Sequence, residues 1–207
     1  MSDKITVLNI DSHPVWSLGV ATVINGQPDM RLVAQACTGR EAIDYFRKQQ
    51  TDVILMDVQL PDMSGIELMI AIRAEFPKAR FIIVTSLAHD NEIRMALAHG
   101  ARAYLLKSMP SSELVEVIRQ VNCGRRKLSD SIAVLLAEHL TDETLSNREL
   151  EVLRQLLDGN KNRDIADKLF IAEETVKAHM KHIMNKLGAS DRTHALTIAL
   201  RRGIVQL

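Results

Sequence analysis

Four polar residues in the first half of the chain have side chains that together could handle a phosphoryl group. Two carboxylates, a hydroxyl and an amine each directly follow a short apolar run, and they are Asp11, Asp57, Thr85 and Lys107. Asp57 could act as a nucleophile and form an aspartyl phosphate, while Asp11 could hold a hard divalent cation through oxygen. Lys107 and Thr85 could neutralise and hydrogen-bond the oxygens of the transferred group. A single strand-end Thr or Lys is usually only a surface residue, so the prediction depends on all four meeting.

A second set of candidates lies near the C-terminus, between Val176 and Leu187, where three lysines and two histidines occur without an acid. On a helical wheel, Lys177, Ala178 and Lys181 share one face, away from the apolar residues. Such a face suits the major groove of DNA, because ammonium groups can reach guanine O6 and N7 and an alanine can touch a thymine methyl. The same lysine spacing is also typical of a solvated helix face, and the helix alone does not separate the two interpretations.

The elements that must position the first set alternate between short apolar runs and helical patterns. Because the runs are rich in Val, Ile and Leu, they predict buried parallel strands. The expected fold is a flavodoxin-like, doubly wound α/β domain with a five-stranded parallel sheet in the order 2-1-3-4-5. Ligands of such sheets bind outside the carboxyl ends of the strands, which is where the four polar residues fall. The predicted strands are Ile5–Ile10, Leu32–Ala36, Val53–Met56, Phe81–Val84 and Ala103–Leu106.

From Leu145 onward only helical patterns occur, which predicts a small all-α domain. Its first helix begins near Ser146 and ends at Gly159, and the next two are expected at Asn162–Phe170 and Val176–Leu187 with Ile171–Glu173 as the turn. We place the boundaries at 1–123 for the first domain, 124–142 for a linker with a short helix within 129–140, and 143–207 for the second domain.

Composition limits the class of protein. Apolar residues make up 46% and charged residues 25% of the chain, as in ordinary globular proteins, and the formal net charge of zero argues against non-specific coating of nucleic acid. No apolar run approaches the roughly 20 residues that cross a bilayer. Cys37 and Cys123 are too few for a disulfide framework. We therefore expect a cytoplasmic protein without membrane partners.

The first domain resembles the receiver domain of bacterial two-component response regulators, over residues 4–123. The resemblance is carried by LMDVQLPDMSGIEL around Asp57, VTS at Thr85 and GARAYLLK ending at Lys107. It implies a sensor histidine kinase as partner, Mg²⁺ as cofactor, and Thr85 with Tyr104 as the switch that senses phosphorylation of Asp57. It further implies that residues 60–65 close the pocket, and that Mg²⁺ is held by Asp11, Asp57 and the backbone carbonyl of Gln59.

The sequence departs from this family at one position. Receivers usually have two adjacent acids after the first strand, whereas Asp11 is followed here by Ser12. A serine hydroxyl can ligate but supplies no charge, so Mg²⁺ binding and the phosphorylation that depends on it are expected to be weakened. His13 could replace the missing ligand, but imidazole suits zinc or copper better than magnesium. Since the family has a histidine there anyway, we interpret His13 as structural.

The second domain closely resembles the LuxR-type DNA-binding domain, a four-helix helix-turn-helix module, over about residues 143–205. The resemblance is carried by LSNRELEVLRQLLDGNKNRDIADKLFIAEETVKAHMKHIMNKLGASDRT. It implies that Lys177, Ala178 and Lys181 face the bases, and that Asn162, Thr175 and Arg192 contact phosphates. Domain order and length are similar to those of the NarL/FixJ subfamily. Members commonly bind double-stranded DNA as homodimers through the final helix, here about Asp191–Gly203. The resemblance implies that its Ala195, Leu196, Ile198 and Ala199 partly serve contact between subunits.

Three hypotheses follow. The first is a transcription regulator whose binding to DNA is controlled by phosphorylation of Asp57 by a sensor kinase, with RNA polymerase as a further partner. The second is an atypical regulator that binds DNA without the phosphorylation switch, its receiver serving as a dimerisation or sensing module. The third is a phosphohydrolase, which would typically carry a second Asp as general acid where this chain has Gln59. We therefore expect a regulator and not an enzyme.

Overall fold

The structure is a computed structural model, and it describes residues 4–86, 89–129, 132–134, 136 and 145–205. The chain divides into two compact units, with the main boundary between residues 134 and 135. Each unit is described by itself. Within the described residues, no helix is both long enough and apolar enough to cross a membrane.

The first unit is built on a parallel sheet of six strands in the order β2-β1-β3-β4-β5-β6. The predicted order of the first five strands is confirmed, and β4 extends by one residue to include Thr85. The sixth strand was not predicted, because it is only two residues long and follows a basic, polar stretch. This strand follows Cys123 in the chain and pairs in parallel with β5. The strands are β1 (Ile5–Ile10), β2 (Met30–Ala36), β3 (Val53–Met56), β4 (Phe81–Thr85), β5 (Ala103–Leu106) and β6 (Lys127–Leu128).

Five helices connect these strands, and their starts follow local capping signals. Pro14 occupies the first turn of its helix, where a missing N–H costs nothing. Thr38 accepts a hydrogen bond from the Glu41 amide, and Ser64 forms a reciprocal capping box with Glu67. The helices are α1 (Pro14–Asn25), α2 (Gly39–Lys48), α3 (Gly65–Glu75), α4 (Asp90–Ala98) and α5 (Ser111–Asn122).

The core of this unit lies between the sheet and the helices. All four residues of β3 are buried, as expected for a parallel strand covered on both faces. One buried cluster joins alternate sheet residues such as Val7 and Leu55 to Val20 of α1 and Ile118 of α5. This packing fixes the strand ends, and therefore the polar residues that follow them.

The predicted linker helix within 129–140 is described only in part. Residues 132–134 and 136 are helical, and Ile132 is 1% exposed. Residues 130, 131, 135 and 137–144 lie outside the described residues.

Over residues 145–205, which the structure describes without a gap, the second unit is a bundle of four helices, α6 (Asn147–Leu157), α7 (Asn162–Leu169), α8 (Glu173–Leu187) and α9 (Arg192–Arg201). The expected start of the third helix at Val176 is wrong by one turn, because the helix begins at Glu173. Two acids in the first turn favour this earlier start by interacting with the helix dipole. The turn of the motif is therefore Phe170–Ala172, and Phe170 adopts a left-handed conformation with φ of 55°.

Candidate functional site

Two buried carboxylates lie at the carboxyl edge of the sheet, each directly after one of the adjacent strands β1 and β3. Asp11 is 2% exposed and Asp57 is 3% exposed. Their positions follow from the strand ladder, since the Asp57 amide donates to the Ile10 carbonyl at 2.9 Å and the Asp11 amide donates to the Ala36 carbonyl at 3.0 Å. Buried carboxylates are costly unless charges or donors compensate them, so their surroundings decide what the site can do.

Lys107 provides the compensating charge. Its Nζ donates a hydrogen bond to Asp57 Oδ2 at 2.6 Å and lies at the same ion-pair distance, 2.6 Å, from Asp11 Oδ2. The side chain is only 11% exposed. Its ammonium also lies 5.6 Å from the centroid of the Trp16 ring, within the range of a cation–π contact. The predicted meeting of Asp11, Asp57 and Lys107 is thus present, and Trp16, which the sequence did not single out for this site, forms one side of it.

His13 also faces this pocket, although the sequence suggested only a structural role. Its Nδ1 lies 3.0 Å from Asp11 Oδ1, 3.8 Å from Asp57 Oδ2 and 3.3 Å from Lys107 Nζ. The His13 amide donates to Asp11 Oδ1 at 2.8 Å, which turns the chain into α1. The side chain stays 60% exposed. The sequence signal that could have indicated this position is the spacing of two residues from Asp11 at the start of a helix.

The loop after β3 holds Asp57 by close backbone packing. The Gln59 amide donates to Asp57 Oδ1 at 3.2 Å, and the Gly65 amide donates to the Val58 carbonyl at 2.7 Å. A Cβ placed on Gly65 would lie 2.4 Å from the Asp57 carbonyl oxygen, so only glycine fits. Asp62 accepts hydrogen bonds from the Gly39 and Arg40 amides, which lower the pKa of its carboxyl and fasten this loop to the start of α2.

The remaining predicted pocket residues lie on or beside the same edge. Thr85 ends β4 and is 4% exposed, and its carbonyl accepts a hydrogen bond from the Lys107 amide at 2.8 Å. Tyr104 is fully buried in β5. Ser12 is half-buried.

The spacing of three side-chain ligand atoms in the pocket fits a divalent cation. Asp11, His13 and Asp57 each offer a ligand atom, and these atoms all lie within 4.8 Å of one another. Asp11 Oδ2 is buried and makes no hydrogen bond among the described residues, although the Lys107 ammonium is at ion-pair distance. A divalent cation would have to compete with this ammonium for the oxygen, because both are attracted to the same negative charge.

The predicted DNA-reading residues lie on the exposed side of α8. Lys177, Ala178 and Lys181 are all exposed. The opposite side carries the predicted core residues Val176, Met180, Ile183 and Leu187, which are buried against the other three helices. This separation of faces leaves the lysine face free to enter a groove.

Glu173 and Glu174 precede the predicted helix start at Val176, but they belong to α8 and pair with Lys177. Its Nζ lies 2.7 Å from Glu174 Oε1 and 3.5 Å from Glu173 Oε1. The hydrogen bond to Glu174 and the charges of both acids raise the pKa of Lys177. The basic stretch is therefore partly neutralised at its first turn, and Lys177 must exchange these partners to contact DNA.

The residues predicted to contact phosphate occupy two places in the second unit. Arg192 donates to Asn162 Oδ1 at 3.3 Å and to the Asn160 carbonyl at 2.5 Å, so Arg192 and Asn162 meet at the start of α7. Thr175 is exposed in the first turn of α8. In α9, Ala195 and Ala199 are fully buried in the core of their own unit. Any subunit contact of this helix would therefore use Leu196 and Ile198 and not the two alanines, which corrects the earlier expectation.

A buried ion pair holds α8 in place. Glu149 at the start of α6 is 3% exposed, and its carboxylate accepts hydrogen bonds from Ser146 and, at 2.9 Å, from Lys186 of α8. Burial raises the pKa of Glu149, but the bonds from Lys186 and Ser146 outweigh burial and leave the pKa below its usual value. The ionised carboxylate therefore stabilises the orientation of the exposed lysine face.

Comparisons with known families match both units. The response regulator receiver domain matches residues 7–119, and the luxR family of bacterial regulatory proteins matches residues 143–199. These matches cover the predicted phosphoacceptor pocket and the helix-turn-helix.

Full-length relatives have the same arrangement. The chain is 37% identical to the transcriptional regulatory protein YxjL of Bacillus subtilis, with 99% of each chain covered. It is 36% identical to a nitrate/nitrite response regulator protein homolog of Haemophilus influenzae, over 96% of this chain and 97% of the relative. A response regulator of a heme-sensing two-component system, ChrA, is 35% identical over 98% of this chain and 99% of that one, with a TM-score of 0.58.

The fold is shared with a more distant structure. RcsB of Salmonella typhimurium is 23% identical and aligns with a TM-score of 0.74 over 94% of this chain and 98% of that one. The sheet order, the two family matches and the full-length relatives agree. The chain belongs to the response regulators of the NarL type, in which a receiver domain is followed by a LuxR-type helix-turn-helix domain that binds DNA.

Proposed function

We propose that this response regulator accepts a phosphoryl group on Asp57 from a sensor histidine kinase and that this event controls its binding to double-stranded DNA. The observation that carries the proposal is the buried Asp57 carboxylate with the Lys107 ammonium at 2.6 Å and a second carboxylate, Asp11, beside it. An isolated surface aspartate would lack both a fixed cation and a place for a second one.

The chemistry is a transfer between two side chains. A carboxylate oxygen of Asp57 attacks phosphorus, the bond from phosphorus to the donor's imidazole nitrogen breaks, and an acyl phosphate forms. The Lys107 ammonium offsets the negative charge that gathers on the phosphoryl oxygens, and the Thr85 hydroxyl donates a hydrogen bond to one of them. Close backbone packing at Gly65 fixes the loop that carries Asp57, so the reacting carboxylate oxygen needs little reorganisation.

A divalent cation, Mg²⁺ in this family, would be held by Asp11, Asp57 and the backbone carbonyl of Gln59. When bound, it supplies positive charge to the transferring phosphoryl group. Asp11 Oδ2 is buried and makes no hydrogen bond among the described residues, which supports this placement, although the Lys107 ammonium lies 2.6 Å from it. Ser12 supplies no charge to the site, which supports weakened Mg²⁺ binding.

An exposed apolar surface beside the pocket supports a protein donor. On α1, Val15 is 85% exposed and Leu18 is 70% exposed. Val15 borders a groove of about 360 Å³ between α1 and the start of α5, which is lined also by Trp16 and Met109. Exposed apolar patches of this kind commonly mark protein interaction sites. A kinase helix seated here would present its histidine close to Asp57.

The second unit would read DNA with α8 in the major groove. Lys177, Ala178 and Lys181 contact base edges, while Asn162, Thr175 and Arg192 contact phosphates and set the orientation. Two copies bind as a homodimer on two half-sites, with RNA polymerase as a further partner in transcription. We assign residues 1–123 to the receiver domain, 124–142 to the linker and 143–207 to the DNA-binding domain.

Control of DNA binding is a shift between two populations of the chain. Thr85 and Tyr104 change position when Asp57 is phosphorylated, and a difference of a few kcal/mol between the states is enough to move the equilibrium. The competing proposal, favoured by Ser12, is that the chain binds DNA without this switch. Neither proposal gives the chain an enzymatic turnover of its own.

The first test is chemical. Acetyl phosphate with a divalent cation should add one phosphoryl group to the purified chain, and peptide mass spectrometry should place it on Asp57. The Asp57→Asn variant should stay unmodified. No modification of the wild-type chain by either acetyl phosphate or a panel of histidine kinases would favour the switch-independent regulator.

A further inference from the structure

The pocket around Asp57 differs from an all-oxygen cation site in the identity of one donor. Asp11 and Asp57 contribute carboxylates, but the residue after Asp11 is a serine, and the third ligand atom facing the pair is the imidazole Nδ1 of His13. Mg²⁺ prefers oxygen ligands and gains affinity from their charge, whereas imidazole nitrogen favours Fe²⁺, Ni²⁺ and Zn²⁺. The donor set therefore matches the second group of ions better.

The spacing of the three donor atoms agrees with a metal polyhedron. With metal–ligand bonds of about 2.0–2.2 Å, neighbouring ligand atoms lie roughly 3.0–3.5 Å apart. His13 Nδ1 is 3.0 Å from Asp11 Oδ1 and 3.8 Å from Asp57 Oδ2. The first distance lies within that range and the second exceeds it, and all three donor atoms lie within 4.8 Å of one another, so side-chain rotation would have to draw them together around one ion.

Two further observations point to a cation. Asp11 is 2% exposed, and its Oδ2 makes no hydrogen bond among the described residues. His13 is 60% exposed, so one side of the site is open to solvent and an ion can enter. The Lys107 ammonium, 2.6 Å from both carboxylates, is the charge with which an entering ion competes.

We propose that Asp11, His13 and Asp57 bind a divalent transition-metal ion of the imidazole-accepting class, such as Fe²⁺, Ni²⁺ or Zn²⁺, in preference to Mg²⁺. His13 Nδ1 takes the ligand position that a second carboxylate holds in other receivers. The inference deepens the proposed phosphoacceptor site. Metal binding is measured without a phosphodonor, so the metal-binding proposal and the phosphorylation proposal can each fail while the other stands.

Trp16 allows a direct measurement, since it is the chain's one tryptophan and lies beside Lys107. Its fluorescence is followed while Zn²⁺, Ni²⁺ or Mg²⁺ is added to the full-length protein. Transition ions bind most sites more tightly than Mg²⁺, so the deciding quantity is the change caused by His13→Asn. Asparagine remains a good N-cap for α1 but removes the imidazole.

His13→Asn should weaken Zn²⁺ and Ni²⁺ binding by at least about tenfold, because even outer-shell changes cost that much, and should leave Mg²⁺ binding within about twofold. Ser12→Asp should strengthen Mg²⁺ binding. His182→Asn, an exposed histidine of α8, is the matched control and should change nothing.

Zn²⁺ and Ni²⁺ affinities within about twofold of wild type in His13→Asn would overturn the proposal, as would an equal loss for all three ions. X-ray absorption of the wild-type chain with one equivalent of Zn²⁺ needs no variant. It should show an imidazole nitrogen beside oxygen ligands, and an all-oxygen shell would contradict the assignment.

Discussion

Replacing Lys107 by methionine tests whether its ammonium compensates the buried carboxylates. The donor atoms of Asp11 and Asp57 lie within 4.8 Å of each other. At an effective dielectric constant of about 20, two like charges at this distance repel by roughly 3–4 kcal/mol. In the wild-type chain the ammonium offsets this repulsion from 2.6 Å, whereas methionine fills similar space without charge.

We expect Lys107→Met to lower the free energy of unfolding of the receiver unit by about 3–5 kcal/mol, the usual cost of removing one partner of a buried ion pair. For a unit of this size the melting temperature should fall by roughly 10 °C or more. The assay is thermal unfolding of the full-length chain at pH 7 with EDTA, followed by circular dichroism. Lys78→Met, which removes an exposed lysine from the loop after α3, is the matched control and should stay within about 0.5 kcal/mol.

Adding a divalent cation shows whether Lys107→Met destabilises the receiver unit through loss of the ammonium charge or through loss of side-chain packing. Because the competing ammonium is gone, a millimolar divalent cation should stabilise Lys107→Met more than it stabilises the wild-type chain. Two results would contradict this reasoning: equal melting temperatures of Lys107→Met and the wild type in EDTA, or equal stabilisation of both chains by the cation. Either would mean that the Lys107 ammonium does not compensate the two carboxylates in solution.

Four other substitutions test separate parts of the structure. Glu149→Gln should lower the free energy of unfolding of the DNA-binding unit by about 1–3 kcal/mol at pH 7. Because the folded pKa of Glu149 is lowered, the stability that its carboxylate contributes is present above the unfolded pKa and is lost as the pH falls through the folded pKa. Urea unfolding should therefore show the difference between wild type and Glu149→Gln shrinking below about pH 4.5. Gly65→Ala should destabilise the receiver unit by about 1–3 kcal/mol and slow phosphorylation of Asp57, because the new Cβ would meet the Asp57 carbonyl oxygen at 2.4 Å; unchanged labelling kinetics would contradict this. Lys181→Ala should reduce discrimination at one base pair by about 1–3 kcal/mol, whereas Arg192→Ala should weaken binding to all sequences alike and lower the salt slope; intact specificity in Lys181→Ala would mean that α8 is not the reading helix.

The parts of the fold that sequence predicted well are those fixed by apolar periodicity. Runs such as Val53–Met56 must be buried on both faces, and Val176 with Met180 must face a core, so their positions follow from hydrophobicity alone. β6 did not show this signal, because two residues cannot establish a period. The start of α8 was placed late because Glu173 and Glu174 carry no apolar signal, although acids favour a first helical turn.

For the site, sequence order predicted which side chains meet but not how they pair. Strand ends placed Asp11, Asp57 and Lys107 together, since parallel strands share one edge. The orientation of His13 depends on the turn that its own amide makes with Asp11, which is a three-dimensional property. The pairing of Lys177 with Glu174 was not predicted for a simpler reason: Glu173 was expected in the turn, and Glu174 lies between that turn and a helix expected to start at Val176.

The central claim, that phosphorylation of Asp57 controls DNA binding, is tested most directly by one affinity measurement. An operator fragment is selected from genomic DNA with the purified chain and labelled, and its fluorescence anisotropy is titrated with protein in the presence and absence of beryllofluoride and a divalent cation. We predict that beryllofluoride changes operator affinity by at least about fivefold for the wild type, the lower end of ordinary allosteric coupling, and leaves Asp57→Asn unchanged. Equal affinities of the wild type in both conditions, with Asp57→Asn binding just as well, would contradict the account.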